Sequence, residues 1–390
     1  MNFSLNELSR VVGDCPAHLT DLKAGVAAGF SIHARQHLSS PITLTHDENQ
    51  SLMCESSGTT GQPKTVKRRP ESWIKSFEVT QRAYAISSID TYATLGIIGH
   101  SLTLFATLEA FHIGTDICPL ENISPSHQIK SIDANKVTVI YATPSQLTLL
   151  VSGARNAKNP EIRSVRHLFS GGGKLSRPLR DDLAKLFPVA RILEFFGASE
   201  TSFISISDEQ TPEGSVGRPY PNVSIRIGDG QHPKLLKPDE IWVKSPYLFD
   251  AYTTGQSADT RWDGAYLSIG EMGALDGQGY LFLSGRKNRM VTIADNNVFP
   301  EEIERTVLML DGIDACAVLS QPDRLRGNKL VCFVQSSSGT ITMPQLRQHC
   351  RAKIDIHSVP KEFVFLDSMP CLAAGKPDLG KLRKMLDEGL

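Results

Sequence analysis

The chain has no paired cysteine spacing, no excess of one charge and no long uninterrupted apolar run, and each lack removes a class of protein. Its seven cysteines, Cys15, Cys54, Cys118, Cys316, Cys332, Cys350 and Cys371, are odd in number and scattered, with no C-x-x-C pair. That usage suits a reducing cytoplasm and argues against a disulfide framework or a zinc site. With 41 basic against 42 acidic residues the formal net charge is -1, so no overall field draws the protein to nucleic acid or to an anionic membrane. Small molecules are the expected partners. The most apolar stretch, Tyr92 to Phe111, is interrupted by His100 and Glu109 and lacks the ~18 apolar residues of a membrane span; it reads as a buried helix and its approach. The N-terminal Met-Asn-Phe-Ser-Leu-Asn-Glu has neither the basic start nor the apolar run of a secretory signal. A Walker sequence, G-x-x-x-x-G-K-[ST], occurs nowhere. There is no internal repeat, and the one low-complexity patch, Ser336-Ser337-Ser338-Gly339, reads as a surface loop.

What the chain does have is length and rhythm. At 390 residues it exceeds what one hydrophobic core usually organises, which predicts two or three domains. Short β-rich runs alternate with amphipathic stretches: Val137 to Tyr141, Val165 to Phe169 and Arg191 to Phe195 predict strands, with a helix from Arg177 to Phe187 between the last two. The alternation predicts α/β layering. Near Gly285 the character changes, and a compact set follows: helix Glu301 to Leu310, strands Ala315 to Leu319 and Lys329 to Val334, helix Gln345 to Ile354, strand Glu362 to Leu366. Pro300 with Glu301 and Glu302 behind it is a good helix start, since proline suits the first turn and the acids face the positive end of the dipole. The expected organisation is an N-terminal α/β body over residues 1–287 and a small C-terminal α+β domain over 288–390.

The strongest local signal is Ser56-Ser57-Gly58-Thr59-Thr60-Gly61-Gln62-Pro63-Lys64. Polyphosphate chemistry uses this mixture: glycines let backbone N–H groups approach the oxygens, hydroxyls donate, and a lysine neutralises charge. By composition alone a surface linker would serve as well. The segment resembles the signature loop of the adenylate-forming superfamily, which includes acyl-CoA synthetases, nonribosomal peptide adenylation domains and firefly luciferase. Further motifs of that family follow in order: Ser170-Gly171-Gly172-Gly173-Lys174, Phe196-Gly197-Ala198-Ser199-Glu200, Gly214-Ser215-Val216-Gly217-Arg218-Pro219, Gly285-Arg286-Lys287-Asn288, Phe299-Pro300-Glu301-Glu302-Ile303-Glu304 and Gly375-Lys376. The resemblance runs from about Ser51 to Arg383.

It implies a role for each position. Ser57, Gly58, Thr59, Thr60, Gly61 and Lys64 would manage the phosphates of ATP, and Glu200 would hold Mg²⁺. Gly171, Gly172 and Gly173 would lie beside the adenine, Phe196 would pack on it, and Gly197 and Ser199 would border the nucleotide. Glu271, where the family usually carries Asp, would hold the ribose hydroxyls with Arg286. Lys376 would reach the α-phosphate and carboxylate oxygens as the transition state gains charge. His100, with Gly197 and Ala198, would border the acyl pocket, and Asn288 would be the hinge.

Two departures stand out. The signature loop normally lies far deeper in the chain, so much of the usual N-terminal subdomain is expected to be missing or cut down. Ala294-Asp295 stands where makers of CoA thioesters carry a glycine pair lining the tunnel for the pantetheine arm. The expectation is therefore an enzyme that converts a small carboxylic acid and ATP to the acyl-adenylate and passes the acyl group to a thiol, most often CoA. The alternatives are transfer to a carrier-protein phosphopantetheine, a reaction that stops at the adenylate, and a degenerate, non-catalytic nucleotide-binding protein; a homodimer is left open.

Overall fold

A computed structural model describes residues 1–14, 16–36, 40–56, 64–158, 160–230, 236–293, 296–324, 327–336, 339, 341–372 and 376–389. The three predicted strands of the body form Val139–Ala142, His167–Ser170 and Arg191–Ala198, adjacent and parallel in one sheet. The full order of that seven-stranded sheet is Arg218–Pro219, Ser202–Ile206, Arg191–Ala198, His167–Ser170, Val139–Ala142, Thr91–Thr94, Asp116–Pro119. Parallel neighbours need crossovers, and the helices Ser101–Ile113, Pro125–Ala134, Pro144–Asn156 and Arg177–Leu186 supply them. All four residues of Val139–Ala142 and of His167–Ser170 are buried, as expected for strands covered on both faces. After Arg191–Ala198 the chain reverses over three residues, and Ser202–Ile206 runs antiparallel. That reversal carries the Ser199–Glu200 pair.

The apolar Tyr92 to Phe111 stretch is a strand, Thr91–Thr94, followed by the helix Ser101–Ile113, ten of whose thirteen residues are buried. The helix is apolar all round because the sheet and the helix Pro70–Tyr84 enclose it. Its one carboxyl, Glu109, is fully buried. The hydroxyls of Tyr92 and Tyr141 donate to Glu109 Oε2 at 3.0 and 2.8 Å, while Oε1 has no partner among the described residues. Burial pushes the Glu109 pKa up to about 8, against the downward pull of these hydrogen bonds.

Two further sheets complete the body. Five strands in the order Ala251–Thr254, Lys64–Arg68, Leu52–Ser56, Ser31–Ala34, Ile42–Thr45 form one, so the N-terminal segment builds its far edge. The other contains the antiparallel pair Glu271–Leu275 and Leu281–Arg286. Beyond it the smaller C-terminal domain follows its predicted order closely: helix Pro300–Leu308, strands Ala315–Asp323 and Gly327–Gln335, helix Met343–Lys353, strand Glu362–Leu366, and a further helix, Leu379–Asp387. Strand alternation splits its core in two, with Cys316, Val318, Cys332 and Val334 on one face and Ala317, Leu319, Val331 and Phe333 on the other. The cysteines described are free, and all but Cys371 are buried.

Glu109 gives the fold a measurable pH dependence. Its folded pKa of about 8 lies above the ordinary 4.5, so its stabilising contribution is complete below the lower value and is lost as pH rises through the upper one. Glu109→Gln does not titrate. Denaturant unfolding should therefore show the wild type losing stability relative to Glu109→Gln between about pH 5 and pH 8, by up to ~1.4 kcal/mol per pH unit. Parallel stability curves for the two proteins would show that Glu109 titrates as an ordinary carboxyl.

Candidate active site

The reversal after Arg191–Ala198 is held from the neighbouring sheet. Arg68, the last residue of the strand Lys64–Arg68, is completely buried. Its guanidinium donates to the Ser199 carbonyl, to Ser202 Oγ at 2.8 Å and to the Tyr247 carbonyl at 3.1 Å, and it lies over the Trp73 ring at 5.1 Å. Burial lowers its pKa, against the opposing charges of Cys54, Glu200 and Asp250. Ser202 takes a left-handed backbone, φ 55°, a cost the Arg68 contacts offset. Between the anchored Ser199 and Ser202 sits Glu200. The Phe249 N–H donates to its carbonyl at 2.8 Å, and the Tyr252 hydroxyl donates to Oε1 at 2.6 Å while also bonding Thr260 Oγ1 at 2.9 Å. Among the described residues Oε2 is left for another partner.

Phe195 and Phe196 are consecutive in their strand and so face opposite sides. Phe195 packs on Phe203 at 4.6 Å between ring centroids, whereas Phe196 packs against the cluster around Ile204 and Ile241. Two glycines make room here. A Cβ on Gly171 would lie 2.1 Å from Phe195 Cζ, and one on Gly197 would lie 1.9 Å from the Ser202 carbonyl oxygen. Gly172 and Gly173 follow in an exposed turn. His100 precedes the helix Ser101–Ile113, and Ser101 Oγ stands 3.2 Å from Ser199 Oγ. The structure therefore brings His100 and its neighbours to the Gly197–Ser199 segment.

Glu271 and Arg286 are directly paired across antiparallel strands, and Arg286 Nε donates to Glu271 Oε1 at 2.9 Å. From the C-terminal domain Lys376 comes within electrostatic reach of both. Its pKa is lowered by burial and by the Arg286 charge, with Glu271 opposing; the Glu271 pKa is raised by burial and pulled down by Arg286 and Lys376. Lys376 as a whole residue keeps solvent access. Asn288 lies in the short turn Lys287–Arg289, and its Nδ2 donates to Asp259 Oδ2 at 2.7 Å.

Lys64 is only 9 % exposed and has no carboxylate partner among the described residues. With no described carboxylate to neutralise it, the ammonium is left for an incoming anion. It opens a strand paired with Leu52–Ser56, and Ser56 opposes Lys64 where the segment 57–63 joins them. Ser57, Gly58, Thr59, Thr60 and Gly61, like Ala294, Asp295 and Gly375, lie outside the described residues.

The AMP-binding enzyme family model matches residues 16–253, and the AMP-binding enzyme C-terminal domain model matches residues 302–376. The chain belongs to the AMP-binding enzyme family. It is similar to an uncharacterized acyl-CoA ligase, YhfT, of Bacillus subtilis, at 30% identity over 90% of this chain and 71% of the relative. It is also similar to a putative long chain fatty acid-CoA ligase, VraA, of Staphylococcus epidermidis, at 28% identity over 86% and 73% of the two chains. Its fold is that of the O-succinylbenzoate CoA synthetase MenE of Bacillus subtilis in complex with ATP and magnesium ion, with TM-score 0.75 and 24% identity over 85% of this chain and 69% of that one. It is likewise that of ATP-bound MatB from Rhodopseudomonas palustris, with TM-score 0.76 and 22% identity over 94% and 73%.

In this AMP-binding enzyme the sequence did not disclose Arg68, Tyr252, Thr260 or Asp259. Arg68 reads as one cation in Lys67-Arg68-Arg69, and only the burial of a strand end beside Trp73 distinguishes it. Arg68→Met keeps much of the volume and removes the donors, leaving carbonyls of Ser199 and Tyr247 short of partners. It should cost about 1–3 kcal/mol in denaturant unfolding, and Arg68→Lys, without the planar fork, should recover only part. Arg68→Met within ~0.5 kcal/mol of wild type, the range of an ordinary surface change, would refute the anchoring role.

Proposed function

We propose that this protein is an AMP-forming acid–thiol ligase, with residues 1–287 binding MgATP and the acid and residues 288–390 forming a mobile domain that brings Lys376. The observation that carries the reading is the approach of Lys376 to the Glu271–Arg286 pair. It joins a cation near the end of the sequence to a carboxylate and a guanidinium that lie in the N-terminal body. Its relatives' names support CoA as the acceptor, and the ATP-bound neighbours support the nucleotide.

The donor set fits a nucleoside triphosphate with its metal. Lys64 offers a positive charge with no carboxylate partner among the described residues, Glu200 has one oxygen engaged by Tyr252 and one left, among the described residues, as a hard ligand, and Phe196 offers an aromatic face. Magnesium would travel with the nucleotide and neutralise its phosphates. Glu271, fixed by Arg286, would accept the ribose hydroxyls. A carboxylate needs no general base: its oxygen attacks the α-phosphorus, and pyrophosphate leaves. Lys376 would stabilise the charge gathering on the α-phosphate and acyl oxygens, and Lys64 the departing pyrophosphate. In the second step the thiol sulfur attacks the acyl carbon, AMP leaves with the bonding pair, and the thiol proton goes to solvent.

Asn288 supports the hinge reading, since its bond to Asp259 ties the turn to the body in this arrangement. Free, buried cysteines support a reducing compartment such as the cytoplasm, and among the described residues no helix is long and apolar enough to cross a membrane.

Lys376→Ala should cut acyl-adenylate formation by about 10² to 10³ while leaving ATP affinity nearly intact, because its contact strengthens as the transition state forms. Lys64→Ala and Glu200→Gln should instead weaken MgATP binding by calorimetry. Carboxylate-dependent pyrophosphate release in Lys376→Ala within about threefold of wild type, a negligible ~0.7 kcal/mol, would remove Lys376 from the reaction.

A further inference from the structure

Two consecutive layers of side chains stand behind the candidate acyl site. The helix that starts after His100 directs Ser101 at Ser199, and one turn on the same face it directs Phe105 inward. Phe105 meets Phe203 edge-on at 5.2 Å between ring centroids and Trp73 at 5.1 Å, and lies 6.1 Å from Tyr141. From the other wall Phe195, next to Phe196 and Gly197, packs on Phe203 at 4.6 Å and covers Gly171 so closely that a Cβ there would overlap the ring. Tyr141 in turn stacks on Phe169 at 4.6 Å. Phe105, Phe203, Tyr141 and Phe169 are all buried. These rings fill the space between the helix and the strands directly behind Gly197 and Ser199.

One turn beyond Phe105 on the same helix face lies Glu109, clasped by Tyr92 and Tyr141. An extended hydrocarbon running along the helix would first have to displace the aromatic layer and then lie against a carboxyl and two hydroxyls already desolvated. Displacing packed rings forfeits close-packed contacts, and the polar layer returns no compensating interaction to a methylene chain.

We infer that this enzyme activates a compact, apolar carboxylic acid, a short aliphatic chain or a single ring, and that Phe105 and Phe195 set the limit. The inference rests on the adenylation reading and on His100, Gly197 and Ala198 bordering the acyl pocket. It sets this chain apart from the relatives named for long-chain fatty acids. The limiting side chains are aromatic, so the acid they meet is apolar; they lie just behind the site, so it is short.

The test is carboxylate-dependent pyrophosphate release from MgATP with butanoate, benzoate, octanoate and hexadecanoate, in the wild type, Phe195→Ala and Phe105→Ala. In the wild type, butanoate or benzoate should exceed hexadecanoate by at least ~100-fold in kcat/KM, within the range that a tight apolar pocket yields. Phe195→Ala should raise the octanoate-to-butanoate ratio by at least ~10-fold, and Phe105→Ala should extend the gain to longer chains. Phe105 is a core residue; should its variant lose its near-ultraviolet dichroism, half-buried Phe195 decides alone. Hexadecanoate equal to or better than butanoate in the wild type, or an unchanged ratio in a folded Phe195→Ala, overturns the compact-acid inference and leaves adenylation standing. No stimulation by any acid, with ATP bound, overturns the adenylation reading and this inference with it.

Discussion

The guanidinium of Arg68 is the contact on which the arrangement of the site depends. It is a buried charge whose terminal nitrogens find their acceptors in protein, and the groups around it come from separate places: the Ser199 carbonyl and Ser202 Oγ from one sheet, the Tyr247 carbonyl from the connection after a second, the Trp73 face from a helix; its Nε has no partner among the described residues. A buried cation left short of acceptors is expensive. The same requirement therefore fixes three elements against a fourth. Glu200 lies inside the turn so clamped, and the Phe196–Ser199 run enters it. Rigidity here comes from the acceptors gathered around the two terminal nitrogens of one buried guanidinium, and the segment that needs fixed geometry sits nearest to it.

The charged groups of the candidate site follow the opposite logic, since they are only partly satisfied. Lys64 has no carboxylate partner among the described residues, Glu271 has its pKa raised by burial although Arg286 is bonded to it, and Lys376 has its pKa lowered by burial and by the same arginine. Perturbed groups such as the last two gather at functional sites. The contrast with the hinge region is instructive. There Arg289 is matched by Glu301 at 3.2 Å and by Glu304 at 2.7 Å, and also donates to the Val318 carbonyl at 2.9 Å. That cluster pairs its charges internally and joins the hinge turn to the first helix and strand of the C-terminal domain.

Much of this was legible in the sequence where burial is uniform and local. Val139–Ala142, His167–Ser170 and the strands of the C-terminal domain are short apolar runs between clear breaks, and their order and type followed directly from composition. The ordered glycine and charge motifs singled out Glu200, Glu271, Arg286 and Lys376 as candidates, and it took the fold to bring the last three within reach of one another. Arg68 and Tyr252 were not legible. Their partners lie 131 residues away at Ser199 for Arg68 and 52 away at Glu200 for Tyr252, and nothing local marks an arginine or tyrosine as a tertiary anchor. The sheet holding Glu271 was also hidden, because strands such as Ser224–Ile227 and Arg261–Asp263 are half-buried or exposed, mixed in polarity and short. Period-two patterning fades when neither face is fully buried.

The glycines and aromatics around the site act as one device. Gly171 and Gly197 each lack a side chain because another group already occupies that volume, a Phe195 ring in one case and the Ser202 carbonyl in the other. Removing a side chain usually opens a space, but here the neighbouring strand closes it. The backbone of the Phe196–Ser199 run is thereby held against Ser101 without widening the region behind it. Phe105 and Phe203 continue the filling, and the Tyr92–Glu109–Tyr141 layer ends it with groups that have already given up their water. The same packing that stabilises the body thus fixes the depth of the site, so depth cannot be changed by side-chain rotation alone: interlocked rings at near-crystalline density move together or not at all. Any larger acid would have to be admitted by substitution in this layer, and the half-buried ring of Phe195 is where that change costs the core least.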